Sequence, residues 1–387
     1  MANPIFASLP TTIFEEMSGL ARRHGAINLG QGFPDDAGPQ AVRARAAEAV
    51  LNGYNQYPPM SGLPELRQAL AGHYARTQGL ELDWVREVTI TSGATEALAC
   101  AFLGLIEPGD EVIVFQPLYD AYVPLIRRAG GVPRLVRLSP PHWRFDRAML
   151  QAAFTERTRF VVLNNPLNPA GVVLPQEDLA LLAEFCVQYD VVAICDEVWE
   201  QVVFAPARHR SLIAFPGMRG RCAKIGSAGK MFGLTGWKVG FLAAAPELTS
   251  ALARTHQFLT FTTPPNLQDA VAFGLETGAA WFDEMPVRLA ASRERLAEGL
   301  RREGFAVLPS QGTYFLSLDL PASGIDVPDR EFALRAVEQA GVASIPVSAL
   351  YEEAPVTTIL RLCFCKADET LDEGVRRLAK ARELVRG

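Results

Sequence analysis

The sequence predicts an α/β protein built on a mostly parallel central sheet with helices on both faces, joined to a smaller α+β domain. Three observations lead there. Short apolar β-type runs alternate with helical patterns through the middle of the chain. Those runs are almost continuously apolar, as parallel strands covered on both faces must be. Near residue 280 the pattern changes, and a long helix is followed by strands and helices in another order.

The strands are EVIVF (111–115), RFVVL (159–163), VVAICD (191–196), AKIGS (223–227) and GFLAAA (240–245). Helical apolar spacing marks Glu96–Ile106 and Glu177–Tyr189. A long helical pattern over Trp281–Glu303 leads to the strand YFLSLDL (314–320). A helix near Arg330–Ala340, a strand at TILRLCFC (358–365) and a final helix from Asp368 complete the chain. The expected division is a large domain over 39–280 and a small domain made of 1–38 with 281–387.

With 387 residues, 49% hydrophobic and 21% charged, the chain is long enough for two domains and a sizeable core. Its net charge of −6, with both signs interspersed, argues against a nucleic-acid surface, which needs a clustered basic face. No run approaches the roughly 18 apolar residues needed to cross a membrane. The opening MANPIFASLP lacks the basic stretch and apolar run of a secretory signal. The six cysteines, Cys100, Cys186, Cys195, Cys222, Cys363 and Cys365, sit mostly in apolar runs without a CxxC pair. They read as reduced, buried thiols and imply a cytoplasmic location. Cys363 and Cys365 should share one strand face.

Five segments carry chemistry. SAGKMFGLTGWKVG (227–240) sets Lys230 and Lys238 among small residues after a strand. Ser227 and Lys238 could bind an anion, and a desolvated Lys230 could attack a carbonyl. CDEVWE (195–200) places Asp196 at the C-terminal end of an apolar strand, where ligands bind in open α/β sheets. A buried carboxylate needs a partner, and a protonated pyridine nitrogen is one. NNPLNPAG (164–171) offers the Asn168 amide as a donor to a phenolate oxygen. SGATEA (92–97) opens a helix whose free Ala94 and Thr95 N–H groups suit a phosphate. PLYDAY (117–122) could lay Tyr119 over a flat ring. Each segment alone is also an ordinary turn, helix cap or packing element.

Together, in the order LGQGFPD, NQY, SGATEA, PLYDAY, NNPLNPAG, CDEVWE, SAGKMFGLTGWKVG and LRLCFCK, they resemble class I/II aminotransferases along the whole chain. These are fold-type I enzymes that use pyridoxal 5′-phosphate (PLP). Within the family the chain looks most like kynurenine and methionine aminotransferases, cysteine-conjugate β-lyases and N-succinyldiaminopimelate aminotransferases. The resemblance implies that Lys230 forms the Schiff base and that Asp196 pairs with the pyridinium nitrogen. It also implies that Asn168 bonds the ring oxygen O3′ and touches the substrate, and that Tyr119 stacks on the ring. Ala94, Thr95, Ser227 and Lys238 would hold the phosphate. Arg361 would clamp the substrate carboxylate, with Gly32 close by and Phe14 and Phe261 lining an apolar pocket. Tyr57 would reach the phosphate of a neighbouring subunit, making a homodimer part of the design. Trp199 stands where the family usually has a tyrosine that donates to O3′, so a shifted cofactor titration is expected. Thr262 replaces the histidine of some kynurenine aminotransferases and weakens kynurenine as a substrate.

The activity implied is a ping-pong amino transfer from an L-amino acid, with a methionine, aromatic or other large neutral side chain favoured, to a 2-oxo acid. A β-lyase, a succinyldiaminopimelate aminotransferase and a non-catalytic ligand sensor are the competing readings. The sensor would carry a DNA-binding module, for which the chain has neither spare length nor a basic patch.

Overall fold

A computed structural model describes residues 3–386. Its centre is a seven-stranded sheet of β1 (Val88–Thr91), β2 (Glu111–Gln116), β3 (Val132–Arg137), β4 (Thr158–Asn164), β5 (Val192–Asp196), β6 (Cys222–Ser227) and β7 (Gly240–Ala243). The strands lie in the order β1-β7-β6-β5-β4-β2-β3. From β3 to β6 every neighbouring pair is parallel. β7 departs from expectation, being antiparallel to both β6 and β1. An unbroken apolar run reports that both faces are covered, and all four residues of β7 are buried, but it says nothing about direction. In this sheet, β3 escapes sequence reading. It is an edge strand with Pro133 and two arginines, and its exposure alternates, so VPRLVR resembles a loop.

The helices include α1 (Ile13–His24), α2 (Ala94–Leu105), α3 (Gln176–Gln188), α4 (Pro246–Leu259), α5 (Pro265–Thr277), α6 (Ala279–Arg302) and α7 (Asp368–Arg386). α2 packs Ala97, Leu98, Ala101 and Phe102 against Val112, Val114, Ile194 and Ile225 of the sheet. Burying a leucine or phenylalanine fully stabilises by about 2 kcal/mol.

A second, antiparallel sheet consists of β8 (Ala306–Val307), β9 (Phe315–Asp319), β10 (Ile345–Pro346) and β11 (Ile359–Cys363), in the order β10-β11-β9-β8. It forms a core with Met17, Leu29, Leu296 and Leu378. Ile27–Asn28 pairs with Val342–Ala343 and ties the N-terminal segment to this layer. The helix expected near Arg330–Ala340 runs over Asp329–Arg335, continues as a wider π-turn through Ala340, and stops at Gly341 with φ +75°. All six cysteines are buried and free, and the Cys363 and Cys365 sulfurs lie 3.2 Å apart, on one face as expected. Among the described residues no helix is long and apolar enough to cross a membrane.

The parallel strands β4, β5 and β6 end side by side at Asn164, Asp196 and Ser227. β11 brings Arg361 to the facing edge of the second sheet, opposite Ser317 of β9 and Ile345 of β10.

Candidate active site

A cavity of about 400 Å3 opens where those strand ends meet Arg361. Twelve of the fourteen residues singled out in the sequence line it: Phe14, Gly32, Ala94, Thr95, Tyr119, Asn168, Asp196, Trp199, Ser227, Lys230, Lys238 and Arg361.

Asp196 is buried and takes a 2.5 Å hydrogen bond from the Tyr122 hydroxyl. Burial pushes its carboxyl up to about 6, and the Tyr122 hydrogen bond works against that rise. Asn164 fixes the strand end: its amide nitrogen donates to the Asp196 carbonyl at 2.9 Å, and its oxygen accepts the Asn168 N–H at 2.9 Å.

Lys230 sits in a single helical turn, Ala228–Met231, capped by the Ser227 hydroxyl oxygen. Its Nζ donates to the Gly32 carbonyl at 3.1 Å and lies 4.5 Å from the centre of the Trp199 ring. Loss of solvent, aided by the Arg361 charge, pulls this ammonium down to about 8. Cys365, Cys363 and Asp196 oppose that fall. Gly32 must be glycine, since a Cβ there would stand 2.4 Å from the Phe315 ring.

Arg361 is almost fully buried. One guanidinium nitrogen donates to Asn168 Oδ1 at 3.0 Å and another to the Gly30 carbonyl, while the plane lies 3.9 Å from the Phe315 ring centre. Its Nε has no protein partner. Desolvation lowers its pKa to about 10, which still leaves it cationic at neutral pH. Holding the Asn168 oxygen this way turns the amide nitrogen into the end free to donate.

At the other end of the cavity α2 begins after Gly93, which has φ +80° and offers no side-chain cap to the first N–H groups of the helix. A side chain at Gly93 would press within 3.0 Å of Lys238 Cε. Lys238 itself holds a left-handed backbone (φ 54°), an uncommon conformation for a non-glycine residue. Helix start, glycine and ammonium thus converge on one spot suited to a dianion.

Tyr57 and Phe261 are not in this cavity. They pack edge to face on each other, centres 5.4 Å apart, and both are exposed, Tyr57 by 77%. In a single chain Phe261 lies outside this cavity: α4 ends before it, and with a φ of +65° it packs on Tyr57. Sequence reading passed over Tyr122, Asn164, Gln31, Phe33 and Phe315. Tyr122, Asn164, Gln31 and Phe33 lie inside recognised motifs, but only the fold shows that Tyr122 is the partner of Asp196.

Beneath the site lies a buried ionic cluster. The Lys224 ammonium bonds both Glu197 and Glu200. Glu197 also takes hydrogen bonds from Ser211 (2.8 Å) and pairs with His209 (3.0 Å), and Glu200 accepts from Tyr74 (2.6 Å) and Gln78 (2.6 Å). Burial works to raise the Glu197 carboxyl, but Lys224 and His209 hold it down at about 2.

A model of the family described as aminotransferase class I and II matches residues 24–378. The chain belongs to this family. Among solved structures it is similar to N-succinyldiaminopimelate aminotransferase from Mycobacterium tuberculosis, with a TM-score of 0.95 and 44% identity over 98% of this chain and 100% of that one. Methionine aminotransferase from Escherichia coli is 40% identical over 371 residues, 96% of each chain. Human kynurenine–oxoglutarate transaminase 1 is 35% identical over 398 residues, 94% of each chain. The protein is a PLP-dependent aminotransferase of fold type I.

The residues present fit that cofactor. The uncapped start of α2 beside Lys238 suits a phosphate, buried Asp196 suits a protonated ring nitrogen, and the orphaned Nε of Arg361 marks a guanidinium built for an outside anion.

Proposed function

We propose that Lys230 is the lysine that bonds covalently to PLP and that it moves the protons of an amino transfer from an L-amino acid with a large neutral side chain to a 2-oxo acid. The observation that carries this reading is the convergence of Lys230, Asp196 and Arg361 on one cavity, with the lysine brought down to about 8. When bound, PLP supplies the electron sink that lets the Cα–H bond of an amino acid ionise. Asp196 keeps the pyridine nitrogen protonated, Asn168 donates to O3′, and Tyr119 lies against the ring. Trp199 supports the cofactor from the Lys230 side. Ala94, Thr95, Ser227 and Lys238 hold the phosphate.

Arg361 takes the substrate carboxylate by a two-pronged pair, its plane already set by Asn168, Gly30 and Phe315. That fixes Cα, and positioning of this kind contributes on the order of 7–11 kcal/mol to lowering a barrier. With PLP bound, Lys230 as a neutral amine would take the Cα proton and be the group that gives it back. Two half-reactions sharing one site give ping-pong kinetics.

The lining favours a neutral donor. Its cations among the described residues are Lys230, Lys238 and Arg361, each with a role above, and Phe14, Phe33, Leu98, Val198 and Phe315 supply apolar surface. A succinylated diaminopimelate would want a further cation. Methionine and aromatic amino acids do not.

The working unit in this reading is a homodimer in the cytoplasm. Tyr57 and Phe261, with exposed Leu51, Tyr54, Phe258 and Leu259 nearby in sequence, present an apolar surface to a second copy, and Tyr57 reaches the phosphate of the partner's site. Residues 39–280 act as a large domain, and 1–38 with 281–387 as a small one. The pairing of Ile27–Asn28 with Val342–Ala343 supports that division.

The test is a half-reaction. Single amino acids are added to the PLP-loaded protein without acceptor, and the long-wavelength cofactor band is followed. Methionine or an aromatic amino acid should convert it to the pyridoxamine form. Conversion by the succinylated substrate alone would overturn the donor assignment, and normal conversion by Lys230→Ala would overturn the role of the lysine.

A further inference from the structure

We propose that the buried pair Glu96–His256 shapes the phosphate cradle, with His256 a positioning residue that touches neither cofactor nor substrate. The inference rests on the reading of Ala94, Thr95 and Lys238 as the phosphate site.

His256 lies in the last turn of α4 and is fully buried. Its Nδ1 is 2.7 Å from Glu96 Oε1, and its Nε2 is 3.1 Å from the Met60 carbonyl. Glu96 is the third residue of α2, the helix whose start forms the cradle. Its other oxygen accepts the Ser92 N–H at 2.7 Å, and the Cys100 thiol donates to Oε1 at 3.0 Å. The Ser92 hydroxyl is in turn 3.2 Å from that of Thr263, in the loop after α4. Ser92 and Gly93, the turn that aims the free N–H groups, are thus held from α2 and from the segment following α4.

The chemistry explains why a histidine is needed. A carboxylate in the first turn stabilises an empty helix start, but beside a bound phosphate it is a second anion. Left unpaired and buried, it would also be costly. Burial does press the Glu96 carboxyl upward, yet the hydrogen bonds from His256, Cys100 and Ser92 win, and it is held below the usual range. His256 therefore keeps Glu96 turned inward, on the Ser92 N–H and away from the phosphate. The other ring nitrogen holds the Met60 carbonyl, three residues past Tyr57. The two arms have separate duties: the Nδ1 arm sets the cradle, and the Nε2 arm anchors the ring on the Met60 carbonyl.

Two near-isosteres separate the arms. Asparagine places an amide nitrogen close to the position of Nδ1, and glutamine places one close to Nε2. The dissociation constant of PLP for the apoprotein is measured for wild type, His256→Asn and His256→Gln, with the phosphorus NMR resonance of bound PLP and the melting temperature of each apoprotein. His256→Asn should bind PLP within about threefold of wild type. His256→Gln should bind roughly tenfold more weakly, the low end for losing a hydrogen bond to a charged group, and should shift the resonance. Equal affinities for the two variants, or a Gln variant that binds like wild type with a lowered melting temperature, overturn the proposal. Should the Gln variant fail to fold, Glu96→Gln reads the same arm, and unchanged affinity there also overturns it. Unchanged affinity in Lys238→Ala would instead overturn the cradle reading beneath it.

Discussion

Replacing Lys230 with methionine should make the apoprotein more stable at neutral pH, and the gain should vanish in alkali. The folded chain holds this ammonium in a dry site at about 8, against 10.5 for the free group, and burial is the largest cause. By linkage that fall corresponds to about 3 kcal/mol of destabilisation while the lysine is charged in both states. Below pH 8 the folded and unfolded chains both bind the proton, and the penalty is present in full. Between pH 8 and 10.5 the unfolded chain binds more protons than the folded one, so wild-type stability rises with pH. Above that range the penalty is gone. Methionine fills similar volume without a charge. The difference between Lys230→Met and wild type should therefore shrink by about 3 kcal/mol from pH 7 to pH 10.5. Urea unfolding midpoints of the two apoproteins, at matched protein concentration, measure it. Other groups titrate alike in both and cancel. A difference that stays constant with pH would refute the reasoning, because it would mean that the ammonium is already solvated.

Further outcomes follow from the same geometry. Trp199→Tyr should move the pH titration of the cofactor absorbance band, since indole has one donor at a different reach from a phenol; superimposable curves would sink that idea. Arg361→Lys should lower kcat/KM for amino donors roughly 10- to 100-fold while the bound-PLP spectrum stays normal, because a point charge cannot make the two-pronged pair. An altered PLP spectrum would show instead that Arg361 supports the cofactor. Phe258→Asp, at a position 85% exposed in one chain, should shift the protein from dimer to monomer in analytical ultracentrifugation and weaken PLP binding with it. A variant that sediments as wild type would remove this face from the interface.

The parts of the site that sequence made legible are those in which chemistry and chain direction coincide. Asp196, Lys230 and Asn168 each follow an apolar strand directly, so motif and strand end are read in one glance. Arg361 sits inside a buried strand, where a lone arginine is conspicuous. What escaped depends on contacts between distant segments. The Tyr122 hydroxyl finds Asp196 across 74 positions, and His256 finds Glu96 across 160, with no local pattern announcing either. Strand direction escaped for another reason: β7 is apolar because α-helices cover it, whichever way it runs. The packing of Phe261 on Tyr57 depends on a left-handed backbone angle that residue type does not announce.

The Lys224–Glu197–Glu200 cluster has a consequence for how this chain can vary. Removing one member leaves its neighbours as uncompensated charges away from water, a loss of about 3–5 kcal/mol, whereas replacing the set together with apolar residues of like volume can be neutral or better. Single-site libraries should therefore show these three positions as intolerant, and combinatorial ones should recover folded triples. Because Glu197 follows Asp196 directly, such triples would also test whether the strand end keeps its aim once the charges below it are gone. Mutational walks through this region would be forced to jump rather than step.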